Sequence, residues 1–157
     1  MEQLLNFKTK SLEELKPYIN EEGFKWVCEN GYLEVAQWLL SVKPNINISI
    51  KNEEIFKYTC MKGHLKVAQW LFSIKPDINI SPEIDNAFSY ACINNYLEVA
   101  QWLFSIKPEI SISIKDKQIF KEVCSDGNLE LAQWLFFIKP NINILVDKEE
   151  EKEKEEI

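Results

Sequence analysis

The chain has 157 residues, a size that suits one domain, and carries a formal net charge of −7 with a pI near 4.9, a balance that opposes binding to nucleic acid or an anionic membrane. All 18 basic residues are lysine, so the planar arginine fork used on phosphates and base edges is missing. No apolar run approaches the roughly 20 residues that span a bilayer, and residues 1–10 lack an apolar signal core and a small-residue cleavage site. These features predict a soluble, intracellular protein whose four cysteines are reduced thiols.

Residues 1–23 do not match the rest of the chain and are read as an N-terminal cap. Ser11-Leu12-Glu13-Glu14 has the form of a capping box, in which the serine hydroxyl and the Glu14 carboxylate satisfy free N–H groups at a helix start. Lys16-Pro17 ends that helix early. Leu4, Leu5, Leu12 and Leu15 are the apolar residues available to cover the first repeat, as the end of a stacked array requires.

From Phe24 onward the sequence repeats. Leu33 to Leu39 reads Leu-Glu-Val-Ala-Gln-Trp-Leu and returns at Leu65 with Lys66 for Glu, unchanged at Leu97, and at Leu129 with Leu131 for Val, a period of 32 residues fixed by Trp38, Trp70, Trp102 and Trp134. Such a period marks a solenoid, in which each unit buries its apolar face against its neighbours. Within a unit, Phe24, Val27, Cys28 and Gly31 fall at helical spacing and define a helix A. Gly31, Gly63 and Gly127 share one repeat position with Asn95; these two residue types tolerate the left-handed conformation that closes a helix. Helix B, about Leu33 to Val42, is apolar except for a stripe of Glu34, Gln37 and Ser41, kept as Lys66, Gln69, Ser73 and as Glu98, Gln101, Ser105. A helix so patterned lies between layers with one wet edge, with the tryptophans free to bury fully. In the fourth unit Phe137 takes the serine position.

Lys-Pro follows helix B at 43–44, 75–76, 107–108 and 139–140 and stops it. Ile46-Asn47-Ile48-Ser49-Ile50 then alternates with period two, as do the segments from Ile78, Ile110 and Ile142, which predicts a short strand or extended finger. Asn52, Ser81-Pro82 and Asp116 read as starts of the next helix A. Residues 147–157 hold seven acidic residues and three lysines and are read as a frayed or disordered solubilising tail.

Chemistry finds little foothold in this pattern. Cys28, Cys60, Cys92 and Cys124 recur on the core stripe of helix A; equivalent residues on stacked helices lie roughly 8–10 Å apart, too far for a disulfide, and read as buried thiols. His64 is the sole histidine, at a position held elsewhere by Tyr32, Tyr96 and Asn128, which indicates a structural hydrogen-bonding group. Glu21-Glu22 and Glu53-Glu54 sit at helix starts, where they complement the dipole. No catalytic residue, metal site or cofactor is expected. Trp26, Tyr58 and Tyr90, two residues beyond each Phe, lie about 200° round the helix from the core stripe. They either pack between neighbouring A helices or anchor a partner, and Glu122 ends the ladder.

Gly63-His64-Leu65-Lys66-Val67-Ala68-Gln69-Trp70-Leu71 resembles the Gly-His-Leu-Glu-Val-Val-Lys-Leu-Leu segment of the ankyrin repeats, and Asp77-Ile78-Asn79 resembles the Asp-Val-Asn leading into their β-hairpin. The likeness covers about Phe24 to Val146 and is similar in flavour to the lysine- and asparagine-rich ankyrin proteins of giant DNA viruses and amoebae, which implies host cytoplasm if viral. The family's Thr-Pro-Leu-His is replaced by Glu54-Ile55-Phe56-Lys57 and Asn86-Ala87-Phe88-Ser89, and the hairpin-tip glycine is absent. The resemblance implies an all-α fold with short extended or β-finger connections. The fold it implies is an ankyrin-type helical-pair solenoid, with four repeats expected at 24–55, 56–87, 88–119 and 120–146 behind the N-terminal cap.

What the resemblance implies about function is a non-catalytic protein–protein interaction module that binds through its concave face. Carried over by position, that face takes Lys51, Glu53, Glu83, Asp85, Lys115 and Lys117 near the fingers. From the end of helix A it takes Glu29, Asn30, Met61, Lys62, Ile93 and Asn94, beside the aromatic ladder of Trp26, Tyr58 and Tyr90. A second expectation is a structural role, with end-to-end self-association of an otherwise monomeric protein through Phe137. A third is an adaptor for ubiquitin-ligase machinery, by analogy with viral ankyrin proteins, for which the head and tail are short.

Overall fold

The computed structural model describes residues 1–47, 54–74, 81–110 and 114–140, apart from the side chains of residues 81–83 and 114–117. The regular structure of these residues is helical, with no strand among them. Two short 3-10 segments, Glu2–Asn6 and Lys16–Tyr18, flank α1 (Leu12–Leu15). Then come α2 (Glu21–Glu29), α3 (Leu33–Val42), α4 (Glu54–Met61), α5 (Leu65–Ile74), α6 (Ser81–Ile93), α7 (Leu97–Ile106), α8 (Ile114–Ser125) and α9 (Leu129–Ile138). The chain divides into two compact units, Met1–Ala87 and Phe88–Ile157, with the boundary inside α6 where the third repeat begins.

In the first unit the capping box forms as the sequence predicts. The Glu14 amide donates to Ser11 Oγ, and both the amide and hydroxyl of Ser11 donate to Glu14 Oε2. Leu4 and Leu15 are fully buried, but Leu5 and Leu12 are exposed. A cap made of single turns has too few inward positions for four leucines. Part of the cover comes instead from Phe7, a residue outside the predicted set, whose ring lies 5.1 Å from that of Trp38, while Lys8 Nζ reaches Glu34 at 2.8 Å. Asn20 caps α2 by accepting from the Gly23 amide at 2.9 Å. A Cβ on Gly23 would collide with the Tyr18 carbonyl oxygen, so the cap approaches α2 this closely only because residue 23 has no side chain.

Each A helix ends in the same way. Gly31, Gly63 and Gly127 have φ of 77°, 78° and 73°, and Asn95 has φ of 59°. The amide of the following residue donates five residues back, Tyr32 to Val27 at 2.9 Å and His64 to Thr59 at 3.1 Å in the first unit. In the second unit Tyr96 donates to Ala91 at 2.8 Å and Asn128 to Val123 at 3.1 Å. This is the Schellman closure, which satisfies carbonyls that the helix end leaves free. Thr59 is the one polar residue that is buried among those described; its hydroxyl donates to the Ile55 carbonyl at 2.7 Å, so its burial leaves no donor unmade.

The B helices α3, α5, α7 and α9 bury the same three positions, Val35-Ala36-Leu39 in the first and Leu131-Ala132-Leu135 in the last. Glu34, Gln37 and Ser41 and their counterparts in α5 and α7 face solvent. The tryptophans are half-buried, not fully buried as the pattern allowed; Trp70 and Trp134 each sit where two repeats of one unit meet and keep an edge in water. Phe24 of α2 lies 6.2 Å from Trp70 of α5 in the first unit, and Phe88 lies 6.2 Å from Trp134 of α9 in the second. The lysine before the proline that stops α3, α7 and α9 leaves the helical region, with φ/ψ of −131°/80° at Lys43, −141°/79° at Lys107 and −140°/76° at Lys139.

Ile46 and Ile110 are buried at the start of the connections. The expected fingers beyond them, Asn52, and the counterparts at Ile78 and Ile142 lie outside the described residues. Ser81 opens α6, but α8 begins at Ile114, two residues before Asp116.

Candidate partner-binding surface

The A helices turn Phe24, Val27 and Cys28 inward, which leaves the ladder residues and the last turn on the outer side. Within the first unit α2 packs on α4, and the two are tied by charge. Lys25 Nζ lies 3.4 Å from Glu54 Oε2 and 3.9 Å from Glu29 Oε1, and Lys62 Nζ lies 4.0 Å from Glu29 Oε2. The Lys25 and Glu29 side chains are only 27% and 17% exposed, so these pairs are less screened than ordinary surface pairs. Burial alone would lower the Lys25 pKa. The hydrogen bond to Glu54 and the charges of Glu29, Glu54 and Glu22 outweigh it and raise the pKa above the ordinary lysine value.

The aromatic residues fit into this lattice. Trp26 rests on Tyr32 with ring centroids 5.6 Å apart. The Tyr58 ring is flanked by Lys25 Nζ at 5.4 Å and Lys57 Nζ at 5.2 Å, within the range of cation–π attraction. Trp26 also lines an open cleft of about 420 Å³ together with Met1, Glu2, Gln3 and Tyr18, which the repeat pattern gave no means of foreseeing. In the first unit the structure thus brings Glu29, Tyr58 and Lys62 together around Lys25, while Trp26 sits against Tyr32 and the cap. The signal for Lys25 was present, since Lys25, Lys57 and Lys121 share one repeat position.

Asn30 and Asn94 have a local task. Each side-chain amide donates to the carbonyl four residues back, Asn30 to Trp26 at 2.7 Å and Asn94 to Tyr90 at 2.8 Å, so each braces a helix end. In the second unit Tyr90 is exposed and Ile93 half-buried; Asp85, in the first, is half-buried. Lys51 and Glu53, and the side chains of Glu83, Lys115 and Lys117, lie outside the described residues.

Cys28, Cys60 and Cys92 are buried, and burial pushes the thiols of Cys28 and Cys60 far above the ordinary value, which makes them unreactive. Cys124 is exposed, a departure from the expected buried set. It lies on the last described A helix, and no further described repeat covers it. Among the described residues no group of three or more His, Cys, Asp or Glu is placed to hold a metal ion.

His64 packs against the first repeat. A Cβ placed on Gly31 would lie 2.5 Å from His64 Nδ1. Desolvation there lowers the imidazole pKa from its ordinary value of 6.5; a hydrogen bond to the Glu29 backbone opposes this, and the charge of Lys62 reinforces it. With the folded pKa below the unfolded one, the folded state holds fewer protons, so this contribution is complete above pH 6.5 and is lost as pH falls through 6.5 towards the lowered value. His64→Asn, which installs the residue of the fourth repeat, is expected to flatten the fall in urea midpoint between about pH 7.5 and about pH 5.5. An unchanged fall would place the titration elsewhere.

Helix pairs repeated at a fixed period, each closed by the same turn and presenting a half-exposed outer face, define a tandem-repeat protein of the helical-pair class. A family model described as ankyrin repeats (3 copies) matches residues 24–116, more than half of the chain, and the chain belongs to the ankyrin-repeat family. Its fold is an all-α helical-pair solenoid, and ankyrin repeats are generally protein–protein interaction modules, typically without catalytic activity. No curated protein and no solved structure matches the chain. No described helix is long and apolar enough to cross a membrane.

Proposed function

We propose that this chain is a non-catalytic binding module that holds a partner protein on the surface contributed by its A helices and fingers, the concave face of an ankyrin-type array. The observation that carries the reading is the cluster of Lys25, Glu29, Tyr58 and Lys62 on α2 and α4. It is pre-ordered by mutual charge and ring contacts and half-exposed in part, and the positions of Glu29, Tyr58 and Lys62 are ones where otherwise similar repeats differ. An ordered aromatic ring set among charges is the kind of anchor on which binding energy concentrates, because little side-chain freedom remains to be lost. The division into a cap, four repeats and an acidic tail belongs to the same reading, as does an intracellular setting for the four free thiols.

The test is an affinity capture from the source cell followed by titration of the recovered partner against the wild type and a Trp26→Ala, Tyr58→Ala, Tyr90→Ala variant. The variant is expected to lose at least about thirtyfold in affinity, the effect of one strong anchor, with its circular dichroism unchanged. A partner that binds both proteins equally would remove the A-helix surface from the function.

A further inference from the structure

The first and the last described repeats are covered differently. At the N-terminal end Phe7 covers Trp38, Lys8 pairs with Glu34 and Leu4 is fully buried, so the apolar face of the first repeat is closed by the chain's own head. On α9, in the second unit, Phe137 is 81% exposed, Leu129 68% and Phe136 45%. Residues 129, 133, 136 and 137 share one side of a helix, and Gln133 between them is exposed as well.

Two causes combine here. Phe136 occupies a position that a following repeat covers elsewhere: within the same unit Phe104 meets Trp134 edge-on at 5.8 Å, and Leu129 is exposed where its counterparts Leu33, Leu65 and Leu97 are half-buried. Phe137 is different. Its counterparts Ser41, Ser73 and Ser105 are solvent-facing hydroxyls that donate to the carbonyls of Trp38, Trp70 and Trp102 at 2.7, 2.7 and 2.6 Å. That side of helix B looks at water in every other repeat, so a further repeat in register would leave Phe137 uncovered. The positions one period further on are also charged. One period past the buried Ile119, Phe120 and Val123 stand Glu151, Lys152 and Glu155, and residues 147–156 carry no apolar side chain.

We infer that this face pairs with the same face of a second copy, α9 against α9 about a two-fold axis near Gln133. Head-to-tail stacking of copies would require Phe7 to leave Trp38, whereas tail-to-tail pairing leaves both heads closed and ends the assembly at two. The face is suited to meeting itself. Antiparallel pairing brings Leu129 of each copy level with Phe137 of the other, and the Gln133 amide, which both donates and accepts, is complementary to its own copy. The three apolar side chains remove roughly 700 Å² in total from water, short of the roughly 1,200–2,000 Å² of stable complexes. The dimer is therefore reversible, and the isolated chain at low concentration is a monomer. The expected end-to-end contact through Phe137 becomes a closed pair instead of an open filament.

Sedimentation equilibrium of the full chain over a hundredfold range of concentration tests this. The mass is expected to rise from 18.5 kDa towards twice that value and stop. Phe137→Ser, which restores the residue of the other repeats, is expected to weaken the pairing at least about tenfold while leaving the circular dichroism unchanged. Gln133→Cys in a Cys124→Ser background is expected to cross-link wild-type-like pairs on oxidation. A constant monomer mass, a dimer indifferent to Phe137→Ser, growth beyond two copies, or absence of the Gln133→Cys cross-link would each overturn the inference. None of these outcomes bears on the A-helix surface, whose test uses other residues.

Discussion

Replacing Phe24 with alanine is expected to lower the unfolding free energy by about 3–5 kcal/mol, the largest effect of any single substitution in the first unit. Phe24 is fully buried, and its ring lies 6.2 Å from Trp70 at an angle of 55°, so it joins the A helix of one repeat to the B helix of the next. Truncation removes the apolar area of the ring and leaves a cavity that the backbone cannot close, because α2 is held on one side by the cap at Gly23 and Tyr18 and on the other by the Lys25–Glu54 pair. Domains of this size have a total stability of about 5–15 kcal/mol. The loss therefore falls on a large fraction of it, and in a repeat array it falls first on the repeats that share the contact. Urea unfolding followed by circular dichroism should lose its single transition, with an early step absent from the wild type. Phe88→Ala, which removes the matching contact with Trp134 at 6.2 Å, should destabilise the second unit by a similar amount. A loss below about 1 kcal/mol for either would contradict the packing of Phe on Trp across the repeat joint.

Much of this was legible in the sequence because it depends on residues within one period of each other. The helix ends follow from Gly31, Gly63, Asn95 and Gly127, since only residues tolerant of positive φ close a helix in that way, and all four adopt it. The wet stripe of helix B follows from Glu34, Gln37 and Ser41 at helical spacing. The parts that were not legible depend on which elements pack together, which repeat position does not state. Phe7 lies outside the repeats yet covers Trp38, and Lys25 meets Glu54 only because α2 lies against α4. Cys124 repeats the identity of three buried cysteines but not their burial, because burial is set by what packs on the next layer and not by the residue's own repeat. The same reason separates Trp26, which lines a cleft with the cap, from Tyr90, which does not share a repeat with the cap and stands exposed. Position in the repeat gave the candidate surface; the neighbours of each position decided which side chains are ordered there.

Gly31→Ala and Gly127→Ala separate two costs that a recurring glycine normally hides. Both residues have positive φ, 77° and 73°, and a Cβ in the left-handed region costs about 1–2 kcal/mol through its approach to the backbone. At Gly127 nothing else lies within 4 Å of the added carbon, so Gly127→Ala is expected to show the backbone cost alone, about 1 kcal/mol. At Gly31 the same carbon would lie 2.5 Å from Nδ1, 2.8 Å from Cε1 and 3.0 Å from Cγ of His64. The imidazole would have to leave its seat on the first repeat and give up its hydrogen bond to the Glu29 backbone. Gly31→Ala is therefore expected to cost about 2–4 kcal/mol, the excess over Gly127→Ala coming from the displacement of His64. The decisive measurement is the double-mutant cycle with His64→Ala. With the ring gone, Gly31→Ala should fall to the cost seen at Gly127, leaving a coupling of at least about 1 kcal/mol between the two positions. Additive losses would mean that Gly31 serves its turn alone. A coupling would mean that the glycine closing the first A helix is also what lets the second repeat dock upon it.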